Sequence, residues 1–146
     1  MFQEGYILYF DPFYFKNGNP AKPKYGLILK NIGNKSIVLS LPTRADCIPS
    51  TFQIIKDLEC IEIPEANQNC FFISSGKDIT ECGKKFDFNT FLYGHQLDIY
   101  DNLSQIYPTK GIHYIIWGKV KENIFSQIIR CFRESKSVKR KFKRIL

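Results

Sequence analysis

The stretch KPKYGLILKNIGNKSIVLSLPT, Lys22 to Thr43, decides the fold. Two apolar runs, YGLIL and SIVLSL, flank a short polar turn built around Asn31, Gly33 and Asn34. Asn and Gly accept the backbone conformations that a tight reversal needs, so the runs read as adjacent antiparallel strands. Strict in–out alternation is missing, because apolar residues follow one another through both runs. Such strands are buried on both faces, or sit centrally in a closed barrel. The same stretch sets Lys22 and Lys24 before its first strand and Thr43 after its second, with Arg44 following. Antiparallel pairing brings those two ends near each other.

Working outward, GYILYF (5–10) is a short β-rich run that Asp11-Pro12 ends. Residues 11–24, DPFYFKNGNPAKPK, hold three prolines and no apolar period, so a long exposed loop is expected. Residues 43–56 read as loop with a helical turn. LECIEIPE (58–65) and NCFFISS (69–75) read as two further strands. GKDITECGKKFDF (76–88) reads as a polar hairpin. TFLYGHQLDIYD (90–101) reads as one strand interrupted by a bulge at Gly94. GIHYIIWGKVK (111–121) is another strand. In KENIFSQIIRCF (121–132), Ile124, Phe125, Ile128, Ile129 and Phe132 recur at helical spacing, and that face should cover the sheet. The expected fold is mainly β with a C-terminal helix, a small bent sheet or barrel that the helix closes.

At 146 residues the chain reads as one domain. Its start carries acids early and no basic n-region, so it does not read as a signal peptide. No apolar run approaches the roughly 18 residues of a membrane span. Five cysteines, Cys47, Cys60, Cys70, Cys82 and Cys131, lie ten or more residues apart with no CxxC pair. That spacing argues against zinc, and the odd count against a disulfide framework. Reduced cysteines in a cytoplasmic protein are expected. The net charge of +7 is concentrated: residues 130–146 hold eight basic residues and one acid, Glu134, while the other 13 Lys/Arg balance 13 Asp/Glu. The segment 133–146 therefore reads as a basic extension beyond a domain of residues 1–132. It either attracts phosphates by counterion release or serves as a solubilising, partly disordered tail.

No Gly-rich phosphate loop, HExxH or GxSxG occurs in the chain. His95 and His113 fall inside expected strands, where a structural role is the default, although His95 beside Gln96 also suits acid–base work. Asp98 and Asp101 read as solvated strand-end acids, and no metal or other cofactor is expected. The loop aromatics Phe13, Tyr14 and Phe15, with Lys16 behind them, either stack bases or fold back into the core.

In order, GYILYFDPF (5–13), KYGLILK (24–30), LSLPTR (39–44), YGHQLDIYD (93–101) and HYIIWGKVKENIFSQII (113–129) resemble segments of the MazF/PemK-type toxins of bacterial toxin–antitoxin pairs. The likeness spans nearly the whole chain; an insertion at about 64–88 and the basic extension lie outside it. It implies an SH3-like small barrel, a homodimer, and cleavage of single-stranded RNA without a metal by internal transesterification. It also implies an acidic antitoxin partner and no membrane. Carried over, the family's phosphate-binding arginine falls on Lys24 and its hydroxyl on Thr43. Tyr14, Phe15, Lys16, Lys22, Arg44 and Gln96 would then hold the RNA strand. A lysine is a point charge without the planar fork of arginine, so Lys24 departs from the family pattern. Gyrase-poisoning toxins share this fold and act by protein contact, which leaves a non-catalytic interaction module as one alternative and an RNA-binding domain without cleavage as another.

Overall fold

In the structure, a computed structural model, the described residues are 2–42 and 56–146. The protein is mainly β, with about 40% strand and 20% helix in two antiparallel sheets and a C-terminal helix. The opening stretch forms β2 (Lys22–Ile32) and β3 (Lys35–Ser40), joined at Gly33–Asn34. They sit in a five-stranded sheet with β1 (Tyr6–Phe13), β7 (Leu97–Asp101) and β8 (Tyr114–Lys119), in the order β7-β3-β2-β1-β8. A central position explains the missing alternation. Leu27, Leu29, Ile37 and Leu39 join a core on one face, while Ile28 and Val38 join a second core on the other.

A second sheet holds β4 (Cys60–Ile63), β5 (Gln68–Ile73) and β6 (Thr90–Tyr93) in the order β4-β5-β6. Its Phe71, Ile73 and Leu92 enter the larger core from the opposite side. The helix α2 (Glu122–Arg133) lays Ile124, Ile128, Cys131 and Phe132 into the same core, with Phe125 and Ile129 alongside. Its i, i+4 spacing is the helical face read from the sequence. The short helix α1 (Leu103–Ile106) contributes Leu103 to the second core, beside Phe10, Phe13, Tyr100 and Tyr107. Among the described residues the strands do not close into a barrel.

Several expectations need correction. The exposed loop at 11–24 is shorter than expected, because β1 runs through Asp11-Pro12 to Phe13 and pairs it with Lys22. A register shift between Phe10 and Phe13 absorbs the proline, and burial of Phe13 against Phe10 and Tyr107 holds the strand in place. The segment 76–88 is not a hairpin. Its ends meet where the Gly76 amide donates to the Phe86 carbonyl at 3.0 Å, but it forms no strand pair of its own; Thr80 bridges Val120 and the Glu81 amide donates to the Lys119 carbonyl at 2.9 Å, which ties it to the end of β8.

The run 90–101 is not one bulged strand either. A 3-10 turn at Gly94–Gln96 ends β6 in the small sheet and begins β7 in the large one. The cysteines are not all reduced: Cys60 and Cys131 form a disulfide linking β4 to α2, while Cys70 is buried and Cys82 exposed. Cys131 is a core residue of α2 and Cys60 lies on the strand beneath it, so tertiary packing makes a pair that spacing hides.

The C-terminal segment also packs. Val138 and Phe142, the latter in α3 (Arg140–Lys143), are buried in the larger core. The Glu62 carboxylate gathers the segment before them. It accepts from Ser135 Oγ at 2.8 Å, Ser137 Oγ at 3.0 Å, the Lys136 amide at 3.0 Å and the Ser137 amide at 3.2 Å. Asn69 Nδ2 donates to the same carboxylate at 2.8 Å. Burial by itself raises the Glu62 pKa, but these bonds outweigh it and hold the group below its ordinary value.

Candidate nucleic-acid interface

The described residues singled out from the sequence lie on the large sheet or in the segments that enter it. On β2, Lys24 lies opposite Phe10 and Tyr25 opposite Tyr9, and successive side chains take opposite faces. Tyr25 packs against the larger core and Lys24 therefore belongs to the other face, with Lys22 two residues earlier. The Leu41 amide donates to the Tyr25 carbonyl at 3.0 Å, so the chain leading from β3 toward Thr43 runs beside the start of β2. Thr43 and Arg44 themselves lie outside the described residues.

The β1–β2 connection folds onto the second core. Phe13 is buried, and Phe15 meets it edge-on at 5.2 Å. The Lys22 ammonium stands 5.8 Å from the Phe15 ring centre. Tyr14 keeps half its surface exposed, with its ring parallel to Tyr107 at 5.8 Å and its amide donating to the Tyr107 hydroxyl at 2.8 Å. The Lys16 ammonium donates to the Ile99 carbonyl at 2.6 Å, pairs with Asp98 at 3.4 Å and lies 5.5 Å from the Tyr100 ring. An incoming anion therefore competes with Asp98 for Lys16. Burial, then Asp98 and Tyr107, push the Tyr100 hydroxyl well above the usual phenol range, so it remains a neutral donor. Gln96 is exposed at the end of the 3-10 turn that leads into β7.

The other face of the same strand end carries a feature that the sequence reading missed. A cavity of 220 Å³ is lined by Tyr25, Leu41, Pro42, Lys85, Phe86 and Trp117, among others. Trp117, on β8, lies parallel to Phe86 at 5.5 Å and meets Tyr25 edge-on at 6.3 Å. Tyr9 extends this aromatic row to 4.7 Å beyond Tyr25. The Lys84 ammonium sits 5.5 Å from the Trp117 ring centre, and Lys84 and Lys85 are exposed. The signal in the sequence was the pair Lys84-Lys85 directly before Phe86, inside a stretch that the family resemblance does not cover.

Half-buried aromatic rings beside exposed lysines suit a single-stranded nucleic acid. Bases stack on the rings whatever their identity, and the lysines meet the phosphates. Cys82 lies next to this cleft, its Sγ 3.5 Å from the Thr80 hydroxyl. That hydrogen bond, then the Lys84 amide, lower the thiol below its ordinary pKa. Among the described residues no group of His, Cys, Asp and Glu is arranged to hold a metal ion. No helix is long and apolar enough to cross a membrane. No protein-family model matches the chain, and no curated protein or solved structure is significantly similar to it.

Proposed function

We propose that the protein binds single-stranded RNA across the end of the large sheet where β2 begins and β3 ends. The observation that carries this reading is the aromatic and basic cleft of Tyr25, Phe86, Trp117, Lys84 and Lys85, continuous with that strand end. Bases stack against the aromatic row and the two lysines hold the backbone.

Cleavage belongs to the same proposal. In it Lys24 stabilises charge on the phosphorane as the RNA's own 2′-hydroxyl attacks, and Thr43 relays or orients a proton. Its support is the Leu41–Tyr25 backbone bond, which brings the two strand ends side by side. The finer assignment, a MazF/PemK-like SH3 barrel acting as a homodimeric toxin in the cytoplasm against an acidic antitoxin, rests on the sequence resemblance. The β1–β2–β3 meander and the C-terminal helix α2 support it, while the described strands form no closed barrel.

The test is anisotropy of a labelled single-stranded RNA at several salt concentrations, followed by a gel after long incubation with EDTA. Trp117→Ala should weaken binding on the order of 5- to 150-fold, the worth of one stacked base at about 1–3 kcal/mol. Removing Lys84 or Lys85 should lower the salt slope by about 0.7 per lost phosphate contact. EDTA-insensitive fragments that disappear in Lys24→Ala and Thr43→Ala support the nuclease step. Tight, salt-sensitive binding with intact RNA assigns a binding module instead. Binding that ignores both Trp117 and salt ends the RNA reading.

A further inference from the structure

A second cleft lies at the seam between the small sheet and the C-terminal segment, and shares no lining residue with the Trp117 cavity. It consists of two adjoining cavities that share Asn69 and His95. The first, of 180 Å³, has walls of Ile61, Ile63, Phe91 and Tyr93. The exposed His95 ring leans on Tyr93 with 5.1 Å between centres and 31° between planes. The second, of 220 Å³, adds Asn67, Ser137 and Lys139 to an apolar floor of Leu97 and Phe142.

The two halves differ in chemistry. One is a flat-walled apolar and aromatic slot, and the other is polar with a cation at its mouth. Lys139 opens the run Lys139–Arg144, in which five of six side chains are basic. The nearby Glu62 carboxylate is taken up by donors from Asn69, Ser135 and Ser137, which screens it from an anion at Lys139. Asn69, only 4% exposed, lines both cavities, and among the described residues its Oδ1 has no hydrogen-bond donor. That oxygen lies against Gly94, on which a Val138 methyl also packs.

We propose that this bent cleft binds a nucleoside monophosphate. The base enters the slot against Tyr93 and His95, the amides of Asn67 and Asn69 meet its polar edge, and the phosphate pairs with Lys139. A purely apolar ligand leaves Lys139 and the amides unused, and inorganic phosphate leaves the slot empty. Only a ligand with a flat heteroaromatic ring joined to an anion uses both halves. The site goes beyond the RNA reading and does not depend on it.

Calorimetric titration of the full chain with AMP and UMP tests the site, with adenosine and inorganic phosphate as partial ligands and amide chemical shifts to locate binding. A nucleotide should bind saturably and shift residues 67–69 and 93–97, with each partial ligand weaker by about tenfold or more. His95→Ala and Lys139→Ala, both exposed positions, should each weaken the nucleotide about tenfold. A 5′-phosphorylated trinucleotide that binds tighter than the free nucleotide assigns the site to an RNA end, and the reverse order assigns it to the free nucleotide. Absence of saturable binding, phosphate binding as strongly as AMP, or indifference to both variants overturns the proposal.

Discussion

Replacing Glu62 by Ala is the sharpest probe of how the C-terminal segment is held. The carboxylate takes hydrogen bonds from Ser135, Ser137, Asn69 and two backbone amides. The Lys136 amide belongs to an exposed residue and regains water when the carboxylate is lost. Ser135 and Asn69, 2% and 4% exposed, do not. Each such donor left unpaired costs about 1–3 kcal/mol, so the variant should lose about 2–6 kcal/mol. For a chain of this length that corresponds to a fall in Tm on the order of 5–15 °C.

The same bonds give the effect a pH signature. The Glu62 pKa is lower in the folded state than in the unfolded chain, so its stabilisation is fully present above the unfolded value near 4.5. It is lost as pH falls through the depressed folded value. Thermal melts of the parent and the Ala variant should therefore differ most at pH 6–7 and converge toward pH 3. Hydrogen exchange at the Lys136 and Ser137 amides reports the same loosening locally. A Glu62→Ala protein that melts within about 2 °C of the parent at neutral pH, with those amides still protected, would show that the carboxylate does not hold the segment.

Three further outcomes are expected. Reducing the Cys60–Cys131 bridge, which closes a 71-residue separation, should cost about 4 kcal/mol, seen as a lower Tm in dithiothreitol once mass spectrometry shows free thiols; an unchanged Tm refutes it. Phe132→Ala removes a fully buried ring from the larger core and should cost about 3–5 kcal/mol in urea unfolding, whereas a cost below about 1 kcal/mol would mean the helix is not seated there. The exposed Cys82, its thiol lowered by Thr80, should alkylate near neutral pH far faster than buried Cys70, and Thr80→Val should slow it; equal rates at the two cysteines would count against the assignment.

Legibility in the sequence tracks how local each determinant is. The β2–β3 pair announces itself because the turn residues and both apolar runs lie within 22 residues, and α2 because its spacing is complete within one segment. Gly94 defeats the same kind of reading. A bulge and a change of sheet look alike along the chain, and what separates them is packing. A Cβ at Gly94 would stand 2.7 Å from a Val138 methyl, a contact 44 positions away. The aromatic cleft joins Phe86 to Trp117 and the disulfide joins Cys60 to Cys131, so both are products of the fold and not of any one segment. For the expected site, sequence order shows that Tyr14, Phe15 and Lys16 lie between β1 and β2. It gave no warning that Asp98 and the Ile99 carbonyl would already occupy Lys16.

The C-terminal run shows how a strong compositional signal can cover a weaker structural one. Eight cations in 17 residues suggest a tail that repels itself, yet Val138 and Phe142 stand four apart and bring one side of that tail into the core. Ser135 and Ser137 add the polar grip on Glu62. What remains outside is Arg130, Arg133, Lys136, Lys139, Arg140, Lys141 and Arg144, all exposed on a packed segment. The two readings of the tail are thereby reconciled in part: the charge faces solvent, but on a surface whose backbone Glu62 and the core hold. A fixed array of cations presents the same spacing to every polyanion it meets. Salt dependence measured for binding at this surface should therefore fall in discrete steps as individual residues are removed, where a self-avoiding tail would lose affinity only with total charge.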